Sequence, residues 1–205
     1  MSFLEYQLKS EAICFGERIK KGTYRPTAMT IPYSQITGAL RAFFGRQNIH
    51  AAGCIVNYAQ KGYLNFSPKD NVTGTSKLPV TTEVLINMEG KVFVVKNEDT
   101  VDFPNNFSLM IGALRTRGLG VAQLKKIKEI EMIDKGQFLK HGILNTRIPL
   151  EHLDKFEVIF DEKRMTPVYG YLFKPTSIST GDYVLSLFEG SEVRGPEFLL
   201  KELLS

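Results

Sequence analysis

The sequence predicts an α+β fold: a βαββαβ succession over residues 1–133 and a mostly β extension over residues 134–205. Three observations carry it. Residues 3–15 open with alternation, Leu4, Tyr6 and Leu8 against Glu5, Gln7 and Lys9, as a half-buried strand requires. Ile36, Leu40, Phe43 and Phe44, with Ala39, recur at helical spacing. Val92-Phe93-Val94-Val95 is a β-prone run.

The helix begins after Ile31-Pro32-Tyr33, with Ser34 as a plausible N-cap and Gly45 as its stop. Arg41 and Arg46 lie off its apolar stripe. Ala51 to Tyr58 reads as a short strand. Residues 60–82 carry Gly62, Pro68, Asn71, Gly74 and Pro79, which predicts a long loop. Thr82 to Asn87 and Lys91 to Lys96 read as a hairpin turning at Met88-Glu89-Gly90. Pro104 to Ile111 reads as a short helix, with Phe107, Met110, Ile111 and Leu114 at helical spacing. Leu124 to Met132 reads as a strand whose apolar face is Ile130 and Met132, with Ile127 out of phase. That order is the one of a ferredoxin-like domain. Beyond Asp134, strands are expected at Phe156–Phe160, Val168–Phe173 and Tyr183–Phe188, and a closing helix from Pro196 to Leu204.

Composition narrows the function classes. The chain has 205 residues, 43% hydrophobic and 23% charged, enough for a core. Net charge is only +4, so where the cations sit matters more than their total. Cys14 and Cys54 have neither a CxxC spacing nor an adjacent His, which reads as two buried free thiols rather than a zinc site. No metal and no small-molecule cofactor is expected. The N-terminus lacks a signal-peptide pattern, and no apolar run has the length of a membrane span. A cytoplasmic protein without membrane contact is expected.

One stretch concentrates unusual chemistry. Ile111-Gly112-Ala113-Leu114-Arg115-Thr116-Arg117-Gly118-Leu119-Gly120 holds three glycines, two arginines and no acid. Glycine permits positive φ and close backbone approach, and the arginine fork suits phosphate oxygens. Lys125, Lys126 and Lys128 follow, giving five cations and no carboxylate from Gly112 to Lys128. A Walker loop is excluded by spacing, and the order helix, loop, strand opposes a dinucleotide fingerprint. Two readings stay open, a polyanion-binding loop and a basic connecting turn. Gly16 to Pro26, with Arg18, Lys20 and Lys21, reads either as a solvated linker or as a second basic patch with Tyr24 available for stacking. Tyr33 is a second stacking candidate.

Two separated segments carry a family resemblance. Ile31-Pro32-Tyr33-Ser34-Gln35-Ile36-Thr37-Gly38-Ala39-Leu40-Arg41 resembles the helix-capping segment of the CRISPR-associated RAMP superfamily, and residues 111–120 resemble its glycine-rich loop. They occur in the family's order. Tyr33 stands where many relatives have Gly, and Val121 where an Arg often follows the loop. The resemblance implies an RNA-recognition-type (RRM-like) ferredoxin fold and binding of CRISPR RNA beside other CRISPR-associated subunits in an antiviral effector ribonucleoprotein. Gly112, Arg115, Arg117, Gly118 and Gly120 carry over as RNA-backbone contacts, and Ser34 and Arg41 as residues near bound RNA. Lys125, Lys126, Arg18, Lys20 and Lys21 extend the candidate surface. Target-cleaving backbone subunits carry an Asp after the first strand. Residues 16–30 contain none, which favours a non-catalytic subunit such as the type that caps the 5′ handle of the guide.

Two alternatives remain. One is a metal-independent CRISPR RNA-processing endoribonuclease using His50, a residue type whose pKa suits proton transfer. His50 otherwise reads as a surface histidine at the helix end, and His141 and His152 look too isolated to form a dyad. The other is a protein-interaction domain whose basic loops are merely solvated.

Overall fold

A computed structural model describes residues 1–16, 22–70, 72–132, 139–176 and 180–201. Its elements are β1 (Ser2–Ile13), β2 (Tyr24–Arg25), α1 (Tyr33–Phe44), β3 (Ala51–Asn57), β4 (Gln60–Phe66), β5 (Val80–Val95), β6 (Asn106–Met110), β7 (Val121–Glu131), β8 (Leu139–Leu144), β9 (Ile148–Pro149), β10 (Tyr169–Pro175), β11 (Gly181–Leu187), β12 (Glu192–Pro196) and β13 (Leu200–Lys201). The class is α+β, with one α-helix among the described residues and mostly strands.

The sequence-predicted hairpin at Met88-Glu89-Gly90 is one unbroken strand. β5 runs through it, paired with β1 from Phe3↔Val95 to Ile13↔Leu85. On its other side β3 and then β4 run antiparallel to it. The real turn is therefore residues 67–79, and the long loop expected over 60–82 loses its first third to β4. Asn87, at φ 49°, is unpaired in both ladders without a shift in the β1–β5 register; the bulge lies across from it in β3, at Val56, between Ile55↔Gly90 and Asn57↔Glu89. Gly90 is needed for space, since a Cβ there would stand 2.7 Å from Ile31 Cδ1 and 2.8 Å from the Cys54 carbonyl oxygen.

The predicted helix over Pro104–Ile111 is strand β6, a hairpin partner of β7. Phe107 and Ile111 fit either period, and Leu109 decides between them. It is buried, while Asn106, Ser108 and Met110 face solvent. The predicted βαββαβ succession thus lacks its second helix. Ile127 was out of phase because it is the bulged residue of β7, between Glu5↔Lys128 and Tyr6↔Lys126. The path across the sheet is β2-β5-β1-β7-β6, with β3 and β4 on β5's other flank and β2 parallel to β5.

α1 packs Ile36, Ala39 and Leu40 on one face of this sheet, against Leu4, Tyr6, Leu8, Val92 and Leu124. Phe43, expected on the stripe, is 50% exposed. Ser34 does not cap the helix. Pro32 holds the N-cap position without a side-chain bond, and the first helical N–H, on Tyr33, donates to the Arg147 carbonyl at 3.0 Å. Gly45 ends the helix in the left-handed region as expected.

A second core joins Phe3, Phe93 and Val95 of the sheet to Leu144, Phe156, Leu187, Val193 and Leu199. It is flanked by two three-stranded sheets, β10-β11-β9 and β12-β8-β13. The strand expected at Phe156–Phe160 is instead a 3-10 turn, Asp154–Phe156, and a single bridge from Ile159 to Arg194. The closing helix is one 3-10 turn, Glu197–Leu199, followed by β13; residues 202–205 lie outside the described residues. Both cysteines are buried and free.

Candidate nucleic-acid interface

Residues 111–120 close the β6–β7 hairpin. Their base is fastened to the end of β1: Ala113 N–H donates to the Cys14 carbonyl and Gly120 N–H to the Ala12 carbonyl, each at 2.8 Å. Ile111 N–H donates to the Gly120 carbonyl at 2.8 Å. These contacts require glycine twice. At Gly112, φ is 88° and a Cβ would stand 2.5 Å from the Cys14 oxygen. At Gly120, φ is 85° and a Cβ would overlap the Ile111 oxygen.

The tip is a 3-10 turn, Arg115–Arg117, between left-handed residues Leu114 (φ 58°) and Gly118 (φ 80°). The N–H groups of Leu114, Arg115 and Thr116 have no backbone acceptor among the described residues. Arg115 and Arg117 are exposed, and no carboxylate among the described residues lies within ion-pair distance of either. Arg117 lies over the Phe66 ring, 4.0 Å from its centroid, which orders the guanidinium without neutralising it. Fixed donors and unpaired cations of this kind suit an anion.

The loop forms one wall of a groove of about 570 Å³, which also meets Ser34 and Gln35 of α1, Arg147 and residues of β10 and β11. Arg147 is already paired, through Nε and Nη2 to Glu189 at 2.6 and 2.8 Å. Ser34 also lines a neighbouring pocket of about 350 Å³ that contains Arg41 and His152. So Gly112, Arg115 and Ser34 meet in one groove, and Arg41 occupies its neighbour. Arg41 donates from Nε to the Ile49 carbonyl at 3.0 Å. Lys125 and Lys126 do not join them. They sit four and five positions up β7 from Val121, about 13–17 Å along the strand at its usual rise. Arg18, Lys20 and Lys21 lie outside the described residues.

His50 is not a surface histidine and His152 is not isolated. His50 is 6% exposed, its Nδ1 is 2.8 Å from the Tyr33 hydroxyl, and its ring centroid is 5.0 Å from that of His152. Burial, and then the nearby charges of His152 and Arg41, push its pKa down to about 4. A group so buried and so weakly basic is poorly suited to proton transfer at neutral pH. His141 is apart, on β8 opposite Arg194. Tyr33 is 5% exposed and belongs to the second core, so it has no face to offer a base. Tyr24 is 45% exposed, its hydroxyl donating to Glu83.

Sequence reading missed Gln35, Tyr171 and Tyr183 as groove residues. The signal for the tyrosines was present in Tyr169-Gly170-Tyr171-Leu172-Phe173, three aromatics at period two on one strand face.

No family model matches the chain, and no curated protein matches it. Solved structures do share its fold. One chain of a type III-B Cmr-beta complex bound to cognate target RNA and AMPPnP superposes at a TM-score of 0.59 and 12% identity, over 93% of this chain and 86% of that one. One from Cmr-beta bound to cognate target RNA gives 0.57 and 12%, with the same coverage. One from a CRISPR RNA-guided surveillance complex gives 0.50 and 10%, over 97% and 93%. The chain thus shares its fold with chains of these Cmr-beta and CRISPR RNA-guided surveillance complexes, and it fills most of their length.

Proposed function

We propose that the chain is a non-catalytic guide-RNA-binding subunit of a multisubunit CRISPR effector complex, of the RAMP type that caps the 5′ handle. Residues 1–133 form its RNA-recognition unit and residues 134–205 the extension packed on it. CRISPR RNA and sibling effector subunits are its partners, in the cytoplasm. The observation that carries this reading is the pair of exposed guanidiniums, Arg115 and Arg117, free of carboxylate partners among the described residues and held on a loop fastened at its base. The shared fold with chains of RNA-guided complexes supports the choice of RNA as the polyanion.

The test is the salt dependence of RNA binding. Each phosphate neutralised on a single strand contributes about 0.7 to the slope of log K against log salt. Arg115→Ala with Arg117→Ala should lower that slope by about one to two units. An unchanged slope removes the loop as the RNA contact. His50 gives little support to the endoribonuclease alternative, and incubation with repeat RNA without divalent metal should leave the RNA intact.

A further inference from the structure

The wall facing the glycine-rich loop is aromatic. The register of β10 with β11 sets Tyr171 opposite Leu185 and Phe173 opposite Tyr183, so these four side chains share one face of the hairpin. Phe173 and Tyr183 meet edge to face, with centroids 5.7 Å apart. Tyr171 is 64% exposed and Tyr183 43%, although both line the groove with Arg115 and Thr116. Core packing does not account for rings so open.

We infer that this groove is a track for single-stranded RNA, with phosphates on the Arg115 side and bases stacked on Tyr171 and Tyr183. The inference rests on the proposed RNA-binding function and specifies how the RNA lies. Two chemistries converge on one occupant: cations and open N–H groups for the backbone, and exposed aromatic faces for bases. A partner protein would bring no polyanion to the loop by necessity, and duplex RNA would keep its bases from the tyrosines.

Stacking and charge leave different signatures, which separates this inference from the reading beneath it. The full chain is titrated with a fluorescein-labelled A/U oligoribonucleotide of about 15 nucleotides at several salt concentrations. Tyr171→Ala and Tyr183→Ala should each weaken binding roughly fivefold to a hundredfold with the salt slope intact. Tyr171→Phe and Tyr183→Phe, which keep the ring, should bind like the unaltered chain. If the alanine variants bind normally while the arginine double variant loses slope, the track is wrong and the RNA-binding loop stands. If the unaltered chain binds no RNA, or no variant changes anything, both fall. A measurement on the unaltered chain removes any dependence on variant folding. RNA carrying 4-thiouridine, irradiated in the complex, should leave adducts on Tyr171 or Tyr183, and adducts confined to other residues overturn the track.

Discussion

Acidification should destabilise this fold through His50 before any carboxylate titrates. Folding pushes His50 from its ordinary 6.5 down to about 4, because the ring is buried beside His152, Arg41 and Lys155, whose effect Asp154 opposes. Arg41 can only donate to the Tyr33 oxygen, at 3.5 Å, so the Tyr33 hydroxyl proton is left for His50 Nδ1, a bond that the neutral ring accepts. A group with a depressed cationic pKa binds its proton more readily when unfolded. Its stabilising effect is therefore complete above pH 6.5 and is lost as pH falls towards 4. Between pH 7 and pH 5 the linkage integral comes to about 2 kcal/mol. For a chain of this size that is roughly 4–8 °C in Tm. The assay is a thermal melt of the unaltered chain and of His50→Asn at both pH values, since Asn keeps an acceptor near the Nδ1 position. His152 is also shifted down by burial, so the variant should keep a smaller drop in the same direction. An equal drop in both proteins, or none in the unaltered chain, refutes the assignment.

Other outcomes follow from the same geometry. Gly120→Ala should cost about 3 kcal/mol or more in urea denaturation, since overlap with the Ile111 oxygen adds to a φ of 85°. Gly118→Ala, at a similar φ in open space, should cost only about 1–2 kcal/mol, and the reverse ranking would contradict the loop geometry. Burial pushes the Cys14 thiol up to about 11 and raises Cys54. A disulfide reagent at pH 8 should therefore label neither until denaturant is added, and rapid labelling of the native chain would place a thiol at the surface. Glu83, 8% exposed, accepts from the Tyr24 hydroxyl and the Thr27 N–H. Glu83→Ala should cost about 1–3 kcal/mol in the same denaturation assay, while a neutral result would mean that water replaces the carboxylate.

What the sequence discloses about this chain tracks the distance over which each decision is made. α1 and its Gly45 stop are local, and both are read correctly from spacing. β5 is misread because a glycine beside a polar pair is the same signal for a turn and for a strand residue crowded by a neighbour. Only Ile31 and Cys54, 59 and 36 residues earlier, decide the matter at Gly90. β6 is misread because Phe107 and Ile111 satisfy both periods, and its partner β7 supplies the ladder that a helix would not need. The candidate site divides in the same way. Its loop is legible from composition, whereas its aromatic wall lies more than 50 residues further on and becomes a wall only when β10 and β11 fold back. Within the loop the structure then separates two kinds of residue that composition runs together. Gly112 and Gly120 are demanded by the chain's own backbone, at Cys14 and Ile111, and would be required whatever the protein binds. Arg115 and Arg117 meet no such demand: neither has a carboxylate partner among the described residues, and Arg117's contact with Phe66 leaves its charge intact. The glycines therefore testify to folding, whereas the arginines are left for the proposed RNA contact, so a variant that keeps every glycine and removes both charges is the one that separates the proposed RNA binding from stability.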